Sequence, residues 1–318
     1  MADIIPENST ICKVFFKITL FWQFCVFFSD NGLIYPYFYW RTCIMSSEKI
    51  NPLGEKTTYV QTYSPDLLYP VPRSLARDKT GIKDPLPFTG VDIWNGYEIS
   101  WLDSKGKPVI AFAEFRFPHN NPNVIESKSF KLYLNSLTQT KFDSLEAVQK
   151  ILSHDLSKAA GGPAIVNLYP SSAFKDRIVE ELPGICLDSL EIEVDCYDLN
   201  PSLLKTSEEN TEETLYSHLF KSHCLATGQP DWGTVWIRYA GKKIDHAALL
   251  KYLISYRNHR GFAEHCTEQL YADLMQHCGP EKLSVYMRFT RRGGLDINPF
   301  RTNFEADSAA LNLRQIRQ

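Results

Sequence analysis

The chain has 318 residues, of which 44% are hydrophobic and 22% charged. That balance supports a sizeable core, in one large domain or two of ordinary size, and excludes a highly charged disordered chain or a collagen-like one. Thirty-four basic against 37 acidic side chains give a net charge of −3, the wrong sign for a strongly basic nucleic-acid binder, although a local basic patch is compatible with it.

The eight cysteines, Cys12, Cys25, Cys43, Cys186, Cys196, Cys224, Cys266 and Cys278, form no C-x-x-C pair. The usual signature of zinc ribbons and thioredoxin-like redox sites is therefore missing. Their irregular spacing fits reduced thiols of a cytosolic protein, most of them buried as apolar residues. The run Ile11–Phe28 is apolar but is interrupted by Lys13, Lys17 and Gln23. It falls short of the ~20 apolar residues of a membrane span. It also lacks a basic leader and a small-residue cleavage site. Residues 1–44 read as an upstream extension outside the fold, with Met45 as the working start.

Residues 60–90 are rich in proline and turn residues and read as an extended arm without a packed helix. The runs Val91–Trp101 and Pro108–Phe117, separated by D-S-K-G-K, predict an antiparallel hairpin. Leu145, Val148, Ile151, Leu152 and Leu156 form a helical stripe that predicts a helix over 144–160, capped by Asp143 or Ser144 and ended by Gly161–Gly162. Short strands are expected at 164–169 and 190–197. The polar, acidic stretch Asn200–Thr211 reads as a surface connection between two halves. Beyond it come a strand at 233–240 closed by an A-G-K-K turn, helices at 245–257 and 262–277, and a strand at 283–290. ESKSFKLYLNS from Glu126 aligns with DHAALLKYLIS from Asp245, matching Tyr133/Tyr252, Leu134/Leu253 and Ser136/Ser255. Together with the repeated order of elements, this suggests two diverged copies of one α+β unit.

Three segments carry chemistry, each with an ordinary reading beside the functional one. In KSHCLATGQPDW, a G-Q-P turn separates Cys224 from Asp231, and the turn can fold the acid back toward the thiol. A thiolate is a strong nucleophile and a neighbouring carboxylic acid can shuttle a proton. The alternative is a buried cysteine with a turn-capping aspartate. In ESKSFK, two lysines and two serines at a strand–helix junction can bind an anion, or can be a solvated helix start with a capping serine. In TRRGGLD, from Thr290, two arginines before two glycines suit phosphate contact, or a basic surface turn. His223, His259, Cys196, Cys266 and Cys278 read as ordinary core or surface residues.

These segments, with LLYPVPRS from Leu67, VDIW from Val91, LSVY from Leu283 and the continuation DINP, resemble the NADPH-dependent 7-cyano-7-deazaguanine reductases of queuosine biosynthesis, a tRNA-modification pathway. The resemblance runs over residues 55–318, in the longer, bimodular form. It implies an α+β architecture of tandem tunnelling-fold modules, antiparallel sheets with helices on one face. An N-terminal module over 45–199 would carry the cofactor and substrate motif, and a C-terminal module over 200–318 the catalytic cysteine. The implied reaction reduces a nitrile to a primary amine with two NADPH. Cys224 would add to the nitrile carbon to give a thioimide, with Asp231 as proton donor. Glu126, Ser127, Lys128, the position of Ala263, and Glu264 would meet the deazapurine substrate. Lys128, Ser129, Arg292 and Gly293 would contact NADPH. The resemblance also implies no metal, no direct nucleic-acid contact, no membrane, a cytoplasmic location and a homodimer.

One position departs from the family pattern: F-H-E is Phe262-Ala263-Glu264 here. On a helix, His265 points about 200° away from position 263 and is a poor substitute. Removing a general acid–base contributor costs roughly 10²–10⁴ in rate. A second reading is therefore an impaired base-binding protein that forms the covalent adduct and turns over poorly. A third, a zinc cyclohydrolase of related fold, lacks a third ligand near the adjacent His223 and Cys224.

Overall fold

The computed structural model describes residues 60–176, 179–306 and 312–318. The extension over 1–44 and the start at Met45 lie outside the described residues. Among the described residues, ten strands and five α-helices are arranged as an α+β fold. The strands are β1 (Pro70–Pro72), β2 (Thr89–Leu102), β3 (Pro108–Pro118), β4 (Asn123–Ile125), β5 (Ile165–Pro170), β6 (Ile185–Cys186), β7 (Thr206–His223), β8 (Pro230–Ile244), β9 (Lys282–Phe289) and β10 (Leu295–Thr302). The helices are α1 (Ser74–Thr80), α2 (Ser127–Ser136), α3 (Leu145–Ala160), α4 (His246–Ser255) and α5 (Ala263–Cys278). Eight strands form one sheet in the order β5-β3-β2-β10-β9-β8-β7-β6, antiparallel except for the short β6–β7 pairing. The pairing of β10 with β2 makes the sheet continuous across both halves of the chain.

The β2–β3 hairpin forms as the alternation predicts. Its turn is closed by the Asp103 carboxylate, which accepts the Lys105 and Lys107 N–H groups. Trp94, Trp101, Ala113 and Phe115 of these strands pack with Phe130 and Tyr133 of α2 and with Val148, Leu152 and Leu156 of α3. Ser144 caps α3, and Gly161, at φ 70°, ends it. In the second half, Val235, Ile237 and Tyr239 of β8 pack with Val285 and Met287 of β9, Leu249 and Leu253 of α4, and Leu270 and Leu274 of α5.

The sequence echo becomes a structural equivalence. Both runs are helices with an acidic N-cap: Glu126 accepts N–H groups of Lys128 and Ser129, and Asp245 accepts that of Ala248. The Tyr133 hydroxyl donates to Asp155 of α3 at 2.6 Å, and the Tyr252 hydroxyl to Asp273 of α5 at 2.6 Å. Ser136 and Ser255 each bond the carbonyl of the matching tyrosine.

Four expectations are corrected. The arm contains a helix, α1, ended by Gly81 at φ 72°. Residues 190–197 are not a strand. Ile192, Val194 and Cys196 are half-buried in alternation, but without a ladder partner; alternation reports burial of one face, not pairing. Residues 206–211 are not a connection but the start of the 18-residue β7. Likewise A-G-K-K is no turn, since Gly241 faces Thr211 and Lys242 faces Asn210 within the β7–β8 ribbon. This ribbon end is solvated, and its charges meet as Lys242–Glu208 and Lys243–Glu209 pairs. A polar ribbon exposed on both faces lacks the alternation that marks a strand.

The arm is held by buried charge. Glu268 of α5 accepts from Arg77 at 2.7 and 2.8 Å and from Arg301 of β10 at 2.8 Å. Asp92 of β2 pairs with Arg301 at 2.7 Å and with Arg73. Burial alone would raise the Glu268 carboxyl, but Arg301, Arg77 and Arg73 hold it down to about 2. Glu268→Ala leaves these arginines without their shared acceptor and is expected to cost about 3–5 kcal/mol in urea unfolding. Because the folded value lies below the ordinary 4.5, the carboxylate's stabilisation is complete above that pH. It is expected to fade as pH falls toward about 2. Equal slopes of stability against pH in the parent and Glu268→Gln would contradict this.

Candidate active site

The β7–β8 turn builds one wall of a cleft. Ser222 faces Asp231 in the β7–β8 ladder. Cys224 follows Ser222 by two residues, so the pleat period of two favours the same side for it. The Cys224 N–H donates to the Gln229 carbonyl at 2.8 Å and the Gly228 N–H to the Cys224 carbonyl at 2.9 Å, which folds the turn back. The opposite wall comes from Ser127 and Lys131, one turn apart on α2, and from Phe262, Ala263 and Glu264 at the start of α5. Thr290, Arg292, Leu295 and Ile297 close it, with Trp94, Ile125 and Phe289 as apolar lining.

Cys224 is 3% exposed. Burial pushes its thiol up, but hydrogen bonds from Thr227, the Arg292 guanidinium and the Ala226 N–H outweigh this and leave it below the ordinary thiol value. The Asp231 carboxyl moves the other way. Burial raises it more than Arg292, at 3.3 Å, Lys131 and His223 lower it. The thiol thus moves toward easier ionisation and the acid toward holding its proton, the directions that nucleophilic addition with proton delivery uses. Glu264 is buried and forms no ion pair among the described residues. Burial and Asp92 raise its carboxyl to about 7 against the pull of Arg73 and Arg301. The Lys131 ammonium is lowered by burial and by Arg292, while Glu126, Asp231 and Cys224 oppose the shift.

Cys224, Asp231, Ser127, Ala263, Glu264 and Arg292 therefore line one cleft. Glu126, Lys128, Ser129 and Gly293 do not line it. The Glu126 carboxylate caps α2, as Asp245 caps α4. The capping group is thus this glutamate, not a serine. The Ser129 hydroxyl donates to the Glu126 carbonyl and accepts the Tyr69 N–H, which ties it to the arm. Gly293, at φ 61°, lies behind Lys131; a Cβ there would sit 3.0 Å from Lys131 Cδ. His265 turns away from the cleft, with its ring against Phe262 at 5.3 Å, and burial holds its imidazole down to about 4. Residue types alone left Lys131 inside a general anion-binding segment. The usable signal was its i, i+4 spacing from Ser127. Among the described residues no group of three or more His, Cys, Asp or Glu could hold a metal, and no helix is long and apolar enough to cross a membrane.

Residues 59–168 match the family described as nitrile reductase, 7-cyano-7-deazaguanine-reductase N-term. Residues 230–308 match the family described as QueF-like protein. An NADPH-dependent 7-cyano-7-deazaguanine reductase of Dechloromonas aromatica is 55% identical over 87% of this chain and 98% of its own. Reductases of the same name from Paraburkholderia phymatum and Cupriavidus taiwanensis are 52% and 54% identical, over 84% and 82% of this chain and 98% and 95% of theirs. The chain belongs to the 7-cyano-7-deazaguanine reductase family. Its α+β fold and its two family segments fit tandem tunnelling-fold modules.

The contact between Arg292 and the thiol makes a reactivity prediction. Arg292→Ala is expected to move the pH profile of Cys224 alkylation by iodoacetamide to higher pH, read by peptide mass spectrometry. An unchanged profile would show that Arg292 does not stabilise the thiolate.

Proposed function

We propose that this chain reduces the nitrile of 7-cyano-7-deazaguanine to the primary amine, with two NADPH, in queuosine biosynthesis. The observation that carries this is the opening of Cys224, Asp231 and Glu264 on a single cleft. A nitrile is a poor hydride acceptor. Addition of the Cys224 sulfur to its carbon, with a proton from Asp231 to its nitrogen, gives a thioimide whose C=N bond is easier to reduce. The buried Glu264 carboxylate accepts N–H groups of the base, a readout that discriminates strongly in a dry site. The Ser127 hydroxyl lies on the same wall.

The residues fit a polyanionic dinucleotide. Arg292 and Lys131 place two cations on the cleft. Lys128 of α2 adds a third basic side chain at the segment that the family match covers. Bound NADPH supplies the hydride. The chain's own residues orient the base, hold the thiolate and keep a proton at Asp231.

We assign residues 45–199 and 200–318 to the two modules. A homodimer and a cytoplasmic location follow the same reading. Among the described residues β5 and β6 are the outer strands of the sheet, and Ile165 and Ile185 are half-exposed there. Paired edges in a second copy would close a barrel. A reducing compartment suits a free Cys224. The adduct-only reading rests on Ala263, which lines the cleft where the family pattern has histidine. The intact thiol, acid and basic residues favour turnover.

Steady NADPH oxidation with 7-cyano-7-deazaguanine, at two NADPH per amine, is the expected result. Thioimide formation without oxidation would select the adduct-only protein. Asp231→Asn should lower turnover by roughly 10²–10⁴ while leaving the thiol in place. For the base, the sign follows from Glu264. Its carboxyl is raised to about 7, and only the ionised form accepts from two donors. In a Cys224→Ala background, affinity for the substrate should therefore strengthen as pH rises through about 7. The added change Glu264→Gln should flatten that profile.

A further inference from the structure

Beyond Glu264 the cleft borders a small recess walled by Arg73, Asp92, Trp94, Phe117, Asn123, Val124, Ile125 and Glu264. It has room for about one water-sized group. Trp94, Ile125 and Glu264 line both spaces. Arg73 stands in the arm, just before α1, and is 2% exposed. Its Nη2 donates to Asp92. Its Nη1 lies 3.7 Å from Glu268 Oε1, too far for a hydrogen bond. Both Nη1 and Nε are buried and donate to no acceptor among the described residues. No Arg73 nitrogen lies within 4 Å of the Glu264 carboxylate, although both face the recess. A buried arginine thus keeps unused donors at a recess that the buried Glu264 carboxylate also walls.

Leaving a buried donor unmade is costly, so such a pair suits a ligand that brings both kinds of partner. A guanine-like edge does so. Its N1–H and exocyclic amine are donors, and they are flanked by two acceptors, the keto oxygen and N3. A carboxylate can only accept and a guanidinium can only donate. The geometry points to Arg73 as a specificity-determining residue that donates to one of the acceptors flanking the donor pair received by Glu264. The inference rests on the reading of Glu264 as the carboxylate that binds the base. Asp92 and Glu268 hold the guanidinium in position, so the arm that carries Arg73 becomes part of the base pocket.

The test uses Cys224→Ala protein, in which no covalent bond masks equilibrium binding. Calorimetry would compare 7-cyano-7-deazaguanine with its 6-thioxo analogue, which weakens the keto acceptor but keeps N1–H and the amine. A third ligand is the 3-deaza analogue, which lacks the N3 acceptor. One analogue is expected to bind roughly tenfold to a hundredfold more weakly than the parent. Adding Arg73→Met should bring the parent ligand down to the level of that analogue and remove the difference. Arg73→Lys, which keeps a cation near Asp92, serves if the methionine variant does not fold; it too should shrink the difference. Equal affinity for all three ligands in the Cys224→Ala protein would overturn the proposal without any change at Arg73. So would an equal weakening of all three ligands by Arg73→Met, the mark of a purely structural residue. Failure of the parent ligand to bind, with no NADPH oxidation by the unmodified chain, would overturn the functional reading and this inference with it.

Discussion

Asp92 and Glu268, two carboxylates buried to within a few per cent, share Arg73, Arg77 and Arg301. The groups come from the arm and α1, from β2, from α5 and from β10. They therefore tie the first half of the chain to the second at the place where β2 and β10 join the two parts of the sheet. Removing charge from water is expensive, and these groups repay it only through close, multiple hydrogen bonds. Arg301 is fully enclosed and lies over the Phe88 ring at 5.6 Å, with Arg77 over the same ring at 5.8 Å. Such a cluster tolerates few alternative arrangements. It is a constraint on position more than a source of stability.

That constraint reaches the cleft. Glu264 and Glu268 lie one turn apart on α5, so the interaction that fixes the helix also sets the carboxylate facing the cleft. The same charges tune it: Asp92 raises the Glu264 carboxyl while Arg73 and Arg301 lower it. On the other side, Arg292 binds the Gln229 side chain at 3.0 Å, approaches Asp231 and stabilises the Cys224 thiolate. This one guanidinium lowers both the Cys224 thiol and the Asp231 carboxyl. Burial does the remaining work, because it raises the acid more than neighbouring cations lower it.

The local elements were legible in the sequence wherever a single periodicity decided them. The β2–β3 hairpin, α3 with its Ser144 cap and Gly161 stop, α4 and α5 all follow from apolar spacing and turn residues. That Cys224 and Asp231 could share one cleft was legible as well, because the G-Q-P turn between them can fold the acid back. Legibility failed where polar strands are solvated, as at 206–211 and Gly241–Lys243, and where alternation reflects one-sided packing, as at 190–197. It failed again at ESKSFK, where residue types offered a serine as the helix cap and not the Glu126 carboxylate. The folded chain uses that carboxylate to satisfy two orphan N–H groups of α2.

By itself the sequence determined α3, α4 and α5, the hairpin, and the departure at Ala263, because each is a property of a few neighbouring residues. Only the tertiary structure decided that Lys131 faces the cleft, that Ser129 is bound to the arm, and that Arg73 stands beside Glu264 with donors unused. These facts depend on residues 60 to 200 positions apart meeting in space, such as Tyr69 with Ser129 and Arg77 with Glu268. Burial and hydrogen-bond satisfaction are set by such meetings. No local pattern encodes which polar group will be left unpaired.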